Sequence, residues 1–252
     1  MSRGASSHVR GPAPDTARAA AFTRDEAMAV AAARRLANGS VVFVGIGLPS
    51  TACNLARATH APDCVLVYES GTIGAKPTRL PLSIGDGELA ETADAVVSVP
   101  EIFAYWLQGG RIDVGFLGAA QIDRFGNLNS TVIGDYEHPK VRLPGAGGAP
   151  EIARHCREIL VVIRHSPRAF VERLDFRSSS GERVAAVITD LGVLEPDPAT
   201  RELVLTELQP GVEAGAVVEA TGWPLRVAPD VAECEPPGDA ELAALRALEE
   251  AR

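Results

Sequence analysis

Val41-Val42-Phe43-Val44-Gly45-Ile46-Gly47-Leu48-Pro49-Ser50 is the stretch that sets the fold class. Four consecutive apolar residues read as a short strand covered on both faces. The Gly-rich turn then opens a helix predicted over Thr51 to Ala58. A strand, a glycine turn and a helix in that order belong to α/β folds with parallel strands. Upstream, Asp25 to Ala37 has acids at its start and arginines near its end, and Asn38-Gly39 closes it. That is helix polarity, with a glycine able to take the left-handed cap.

The same rhythm runs downstream. Cys64 to Tyr68, Ile112 to Leu117, Ile159 to Ile163, Ala185 to Ile188 and Leu203 to Leu208 read as strands. Helices are predicted over Glu88 to Ala95, Ile102 to Gln108, Glu151 to Cys156, Val212 to Thr221 and Asp239 to Ala251. Phe125-Gly126-Asn127 lies between two strand-like runs and predicts a hairpin. The expectation is an α/β fold: an open, mostly parallel sheet flanked by helices, one domain over residues 23–252. Residues 1–22, rich in Ser, Gly, Pro and Ala with no apolar period, read as a disordered leader or, less readily, an organellar presequence.

The 252 residues carry a formal charge of -9, with 24 Lys and Arg against 33 Asp and Glu. So acidic a chain without a basic cluster is poorly suited to nucleic acid. No apolar run approaches the ~20 residues of a membrane span, and no secretory signal is evident, so a cytoplasmic location is expected. Cys53, Cys64, Cys156 and Cys234 form no C-x-x-C pair, and the five histidines form no ligand pair. The cysteines read as buried small apolar residues, and no metal site is expected.

Three stretches remain for chemistry. Glu69 sits where Val65-Leu66-Val67-Tyr68 ends, and in open α/β sheets working groups gather at the carboxyl ends of strands. A carboxylate there is a reacting group, a helix cap or a solvated loop acid, and position alone leaves these open. Pro144-Gly145-Ala146-Gly147-Gly148-Ala149 precedes a helix. Such a loop either brings bare backbone N–H groups to a ligand or is a flexible linker. It is neither a P-loop nor a dinucleotide fingerprint, and Gly45-Ile46-Gly47 lacks the latter's third glycine. Ser83 to Leu89 reads as a turn and a capped helix start.

Val44 to Pro49, Tyr68-Glu69-Ser70-Gly71, Phe116 to Asn127 and Pro144 to Ala149 together resemble the β subunits of class I coenzyme A transferases. The resemblance spans about residues 25–230. Leu80 to Ala93 and Ile102 to Gly110 favour the branch holding the 3-oxoadipate and glutaconate CoA-transferases. It implies the coenzyme A transferase fold, with Glu69 matching the family's nucleophilic glutamate. The amides of Gly147, Gly148 and Ala149 become candidate oxyanion donors, and Gly145 a residue of the CoA-binding loop. It further implies an α subunit as partner, acyl-CoA and carboxylic acids as substrates, coenzyme A as a substrate with no tightly bound cofactor, and a setting in aromatic compound degradation. Transfer of CoA from succinyl-CoA to 3-oxoadipate is the leading expectation. Alternatives are a subunit of a glutaconate CoA-transferase, a CoA-thioester or ring-cleaving hydrolase using Glu69 as general base, and a non-catalytic acyl-CoA sensor. A dicarboxylate needs a distal cation, for which Lys76, Arg79, Lys140 and Arg142 are candidates. The chain departs from the family in its N-terminal leader and in a short Phe176 to Arg183 loop.

Overall fold

The computed structural model describes residues 22–251; the leader expected over residues 1–22 lies outside them except for Phe22. In chain order the strands are β1 Val41–Val44, β2 Val65–Tyr68, β3 Thr72–Ile73, β4 Ala95–Val96, β5 Val114–Leu117, β6 Gln121–Ile122 and β7 Leu128–Asn129. They continue with β8 Val132–Gly134, β9 Pro139–Arg142, β10 Glu158–Val162, β11 Val184–Ile188, β12 Gly192–Pro196, β13 Leu203–Leu208 and β14 Arg226–Glu233. The helices are α1 Arg24–Ala33, α2 Leu48–Ala58, α3 Gly87–Glu91, α4 Val99–Glu101, a π-helical turn Ile102–Leu107, α5 Ala149–His155, α6 Ala214–Glu219 and α7 Asp239–Glu250. Among them no helix is long and apolar enough to cross a membrane.

Ten strands form one sheet in the order β14-β13-β12-β11-β10-β5-β1-β2-β3-β4. The central run β11-β10-β5-β1-β2 is parallel throughout. Antiparallel strands extend it on both sides, β3 and β4 beyond β2, and β12 and β13 beyond β11. Alternation along each central strand divides the core in two, because successive side chains leave opposite faces. Val42, Val44, Leu66, Tyr68, Phe116, Leu160 and Val162 pack with α1, α2 and Leu245 of α7. Phe43, Val67, Leu117, Ile159, Val161 and Ile163 pack with the π turn, α5 and the β6–β7 hairpin. The result is helix, sheet and helix in three layers, as the apolar runs predicted.

α1 begins with a capping box: Thr23 accepts from the Glu26 amide and Glu26 accepts from the Thr23 amide. Glu26 also takes the Arg246 guanidinium, and Arg34 holds Glu241 at 2.6 Å, so α7 is tied across α1 by two ion pairs. The hairpin predicted at Phe125-Gly126-Asn127 joins β6 to β7. The Asp123 carboxylate closes it by accepting from the Phe125 and Asn127 amides. All four cysteines are buried and unpaired.

Four predicted helices differ. Helix α1, expected to run to Ala37, ends at Ala33 with Arg34 as its C-cap, so Gly39 does not cap it. The one expected over Glu88 to Ala95 stops at Glu91. Thr92 turns its hydroxyl back to the Glu88 carbonyl and accepts from the Lys76 amide, and Ala95–Val96 pairs as β4. Ile102 to Gln108 is not α-helical: the amides of Gln108 and Arg111 reach the carbonyls of Phe103 and Trp106, five residues back. Gly109 permits that wider turn, since a Cβ there would lie 2.1 Å from the Tyr105 carbonyl oxygen. Helix α6 is shorter than the span Val212 to Thr221. Strands β3, β4, β8, β9, β12 and β14 were not foreseen; Pro229 interrupts the pattern of β14, an edge strand where proline is tolerated.

Gly115 positions the layer that matters below. A Cβ at Gly115 would meet Cys156 Sγ at 2.7 Å, Ile159 Cδ1 at 2.8 Å and Ile152 Cγ2 at 2.9 Å. Its bareness lets α5 lie directly on β5. Gly115→Ala should therefore lower unfolding free energy by about 1–3 kcal/mol through overpacking, readable as a shifted urea midpoint.

His165 is buried, its ring stacked on Phe170 with centroids 3.6 Å apart and its Nε2 paired with the Thr221 hydroxyl at 2.9 Å. Burial pushes its pKa down to about 4, against a smaller opposing pull from Asp190. The native state thus disfavours the proton that the unfolded chain takes up near 6.5. The stability this neutral ring contributes is present above 6.5 and is lost as pH falls from 6.5 toward 4, by up to roughly 3 kcal/mol. Denaturation of wild type and His165→Gln across that window should show wild type losing this extra amount relative to the variant.

Candidate active site

Strands β1 and β5 are neighbours whose onward connections leave in opposite directions. From β1 the chain passes through α2 to β2 on one side; from β5 it passes through the hairpins and α5 to β10 on the other. Such a reversal opens a crevice at the carboxyl ends of the strands, where ligands of open α/β sheets bind. A cavity of about 700 Å³ lies there. Its floor comes from the ends of β1 and β5 and its roof from Pro144 to Ala149 and the first turn of α5.

Glu69 lines this cavity, one residue past β2. It lies in the tight turn from β2 to β3, closed by the Gly71 amide on the Tyr68 carbonyl at 3.0 Å. Gly71 has φ +111°, and a Cβ on it would come within 2.0 Å of the Val97 carbonyl oxygen. Only glycine fits there, so the turn holds Glu69 at one height above the sheet. Among the described residues the half-buried Glu69 carboxylate has neither a hydrogen bond nor an ion pair, whereas other acids of the fold are engaged, Asp86 by Arg79 and Glu241 by Arg34.

The glycine loop meets it directly. A Cβ built on Gly148 would lie 3.0 Å from Glu69 Oε1 and 2.7 Å from Phe103 Cζ. Phe103, on the π turn, in turn packs its ring on Phe43 of β1. The loop is fixed at its start by the Leu143 and Gly145 amides on the Thr131 and Ser130 carbonyls. Gly145, Gly147, Gly148 and Ala149 all line the cavity, so the structure brings the expected glycine-loop residues together with Glu69. Their N–H groups are not equivalent. Gly145 donates to Ser130 and Ala149 donates to the Ala146 carbonyl at 2.9 Å. The amides of Gly147 and Gly148 have no acceptor among the described residues. An unpaired carboxylate against a loop that carries two unpaired amides is suited to attack a carbonyl carbon, with those amides available to the oxyanion that forms.

The cations expected from sequence lie elsewhere. Lys76 pairs with Asp94, Arg79 with Asp86 and Glu88, and Arg142 sits over the Tyr136 ring, while Lys140 is exposed on β9; none lines the cavity. Arg164, which sequence reading missed, does line it. The signal was present: Arg164 follows the apolar run Ile159 to Ile163 as Glu69 follows Val65 to Tyr68. No cluster of three His, Cys, Asp or Glu able to hold a metal occurs among the described residues.

A family model described as Coenzyme A transferase matches residues 25–220. The chain is 60% identical to the β subunit of 3-oxoadipate CoA-transferase from Pseudomonas knackmussii, covering 91% of this chain and 94% of that protein. It is 35% identical to the β subunit of glutaconate CoA-transferase from Acidaminococcus fermentans, covering 89% and 91%. The crystal structure of glutaconate coenzyme A-transferase from that organism superposes with a TM-score of 0.85 at 31% identity, over 92% of this chain and 96% of the other. Sequence and fold agree over nearly the whole described length, and the chain belongs to the coenzyme A transferase family, among its β subunits.

Proposed function

We propose that this chain, completed by an α subunit, moves CoA from succinyl-CoA to 3-oxoadipate through a covalent intermediate on Glu69. The observation behind this reading is the unpaired Glu69 carboxylate against Gly148 of the glycine loop, whose amide, like that of Gly147, has no acceptor among the described residues. A Glu69 oxygen attacks the thioester carbonyl carbon, and the tetrahedral oxyanion is held by those two amides. The C–S bond breaks, leaving a mixed anhydride and CoA thiolate. The thiolate attacks the glutamyl carbonyl, succinate departs, and Glu69 carries CoA as a thioester. A 3-oxoadipate carboxylate attacks that thioester and expels the thiolate. The thiolate then attacks the acyl carbonyl of the new anhydride, which gives 3-oxoadipyl-CoA and restores Glu69. Of the expected donors, Ala149 is set aside because its N–H is already engaged; Gly145 is likewise engaged and serves to anchor the loop.

An anhydride must be kept from water, and this chain leaves its cavity open at one side. Ile84, a cavity residue, is 41% exposed, and Leu82, two residues before it in the chain, is 64% exposed. Exposed apolar groups beside a site suit a partner's surface. The related proteins are themselves named as subunits of larger enzymes. This supports an α subunit that closes the cavity and shares in binding CoA.

The complex, co-purified with its α subunit and incubated with succinyl-CoA, should yield a Glu69 peptide bearing CoA, released by hydroxylamine. Glu69→Ala should abolish both the adduct and at least ~10⁴-fold of the transfer rate. Glu69→Asp, displacing the oxygen by one methylene, should cost about 10²-fold. Full activity in Glu69→Ala rejects the reading.

Gly148→Ala should also cost about 10²-fold in kcat, since its methyl must displace the Glu69 carboxylate or Phe103. Adding Phe103→Leu, which frees space at the 2.7 Å contact, should return part of the loss. Equal rates in the single and double variants would place the defect elsewhere.

A further inference from the structure

Glu69 and Arg164 are the two ionisable side chains among the residues lining the cavity; the remainder are apolar residues and glycines. Glu69 follows β2 and Arg164 follows the run that contains β10. In the order β10-β5-β1-β2 these two ends lie three strand spacings apart, about 14 Å along the carboxyl edge of the sheet. An arginine arm and a short acyl chain together close such a span. From this arrangement we infer that Arg164 selects substrates with a second carboxylate, binding that distal group while the near end of the acyl chain reacts at Glu69. The inference rests on the transferase reading and adds to it the residue that recognises the dicarboxylate class.

The chemistry of the two groups suits the task. A planar guanidinium binds a carboxylate through two parallel N–H bonds and stays charged at any working pH. In an otherwise apolar cavity the negative end of a substrate finds this cation and is repelled by Glu69, so the acyl chain enters in one direction. The ground state already provides a placeholder. Arg164 pairs with Asp25 on the first turn of α1. The two side chains are 64% and 48% exposed, and a pair so open to water contributes at most about 1 kcal/mol. A substrate carboxylate can therefore replace Asp25 at low cost. Asp25 Oδ1, moreover, is buried with no hydrogen-bond partner, so this side chain is itself imperfectly satisfied in the pair.

The test uses the complex with the α subunit, succinyl-CoA as donor, and two acceptors of equal chain length, 3-oxoadipate and 3-oxohexanoate. In ping-pong kinetics kcat/KM for the acceptor reports the acceptor half-reaction alone. The ratio of kcat/KM for the dicarboxylate over the monocarboxylate should fall at least tenfold in Arg164→Gln. Arg164→Lys should restore part of it, a point charge replacing the fork. Asp25→Asn, which removes the competitor, should lower KM for 3-oxoadipate. An unchanged ratio in Arg164→Gln overturns the inference, and so does an equal loss with both acceptors, which a CoA phosphate contact or a folding defect would give. A wild-type complex that transfers to both acids without preference overturns it too, while CoA transfer stands. A wild-type complex that forms no Glu69 adduct and moves no CoA rejects the transferase reading itself.

Discussion

The site depends on one arrangement: among the described residues, a carboxylate without a partner next to a glycine loop that carries two backbone N–H groups without acceptors. Gly147 is exposed and Glu69 and Gly148 are half-buried, so solvent reaches all three and none carries the penalty of an orphaned buried group. Here Glu69, Gly147 and Gly148 are left free together. They also do not satisfy one another through a hydrogen bond. The turn at Gly71 sets Glu69 from one side. Gly115, by letting α5 settle on β5, sets the roof from the other. Phe103 occupies the space into which the loop would otherwise close. Three glycines with no room for a side chain, at 71, 115 and 148, hold the carboxylate and the amides near contact without letting them collapse.

That arrangement is tolerated because the rest of the sheet is well satisfied. Two apolar layers cover the central parallel strands, and ion pairs from Arg34 and Arg246 tie the last helix across the first. The cavity sits at the switch point between β1 and β5, where opposite crossovers leave a crevice that neither helix layer fills. A carboxylate at its edge stays within reach of solvent and costs the fold little.

Much of this was legible in the residues. Apolar runs marked β1, β2, β5 and β10, and a carboxylate after such a run marked Glu69. The glycine loop was visible as composition. The free amides within it were not, because that depends on Ser130, fifteen residues before Gly145 in the chain, and on the Ala146 carbonyl turning inward. Two-residue strands such as β3 and β4 have no periodicity to read. The π turn has the same apolar spacing as an α-helix and differs only in which carbonyl its amides reach. Arg164 was overlooked for a different reason: cations were sought shortly after Glu69, at Lys76 and Arg79, and just before the glycine loop, at Lys140 and Arg142, when the rule that found Glu69, a charged residue directly after a buried strand, applied equally to β10.

On the proposed transferase reading, the two charges in the cavity explain why half an enzyme is a sensible unit. The proposed nucleophile Glu69 calls for a dry environment, yet a carboxylate desolvated alone is costly. In this chain it remains half exposed, with Arg164 across the crevice and still solvated beside Asp25. Neither ion is fully buried, so the chain folds without that cost. On the proposed reading, desolvation is deferred until a partner's surface and the substrate close over both, when the substrate's own carboxylate meets the guanidinium and the glycine amides meet a developing oxyanion. The open side of the cavity then lets a carboxylate meant for reaction sit in a stable fold, and assembly, not folding, becomes the step that makes it reactive.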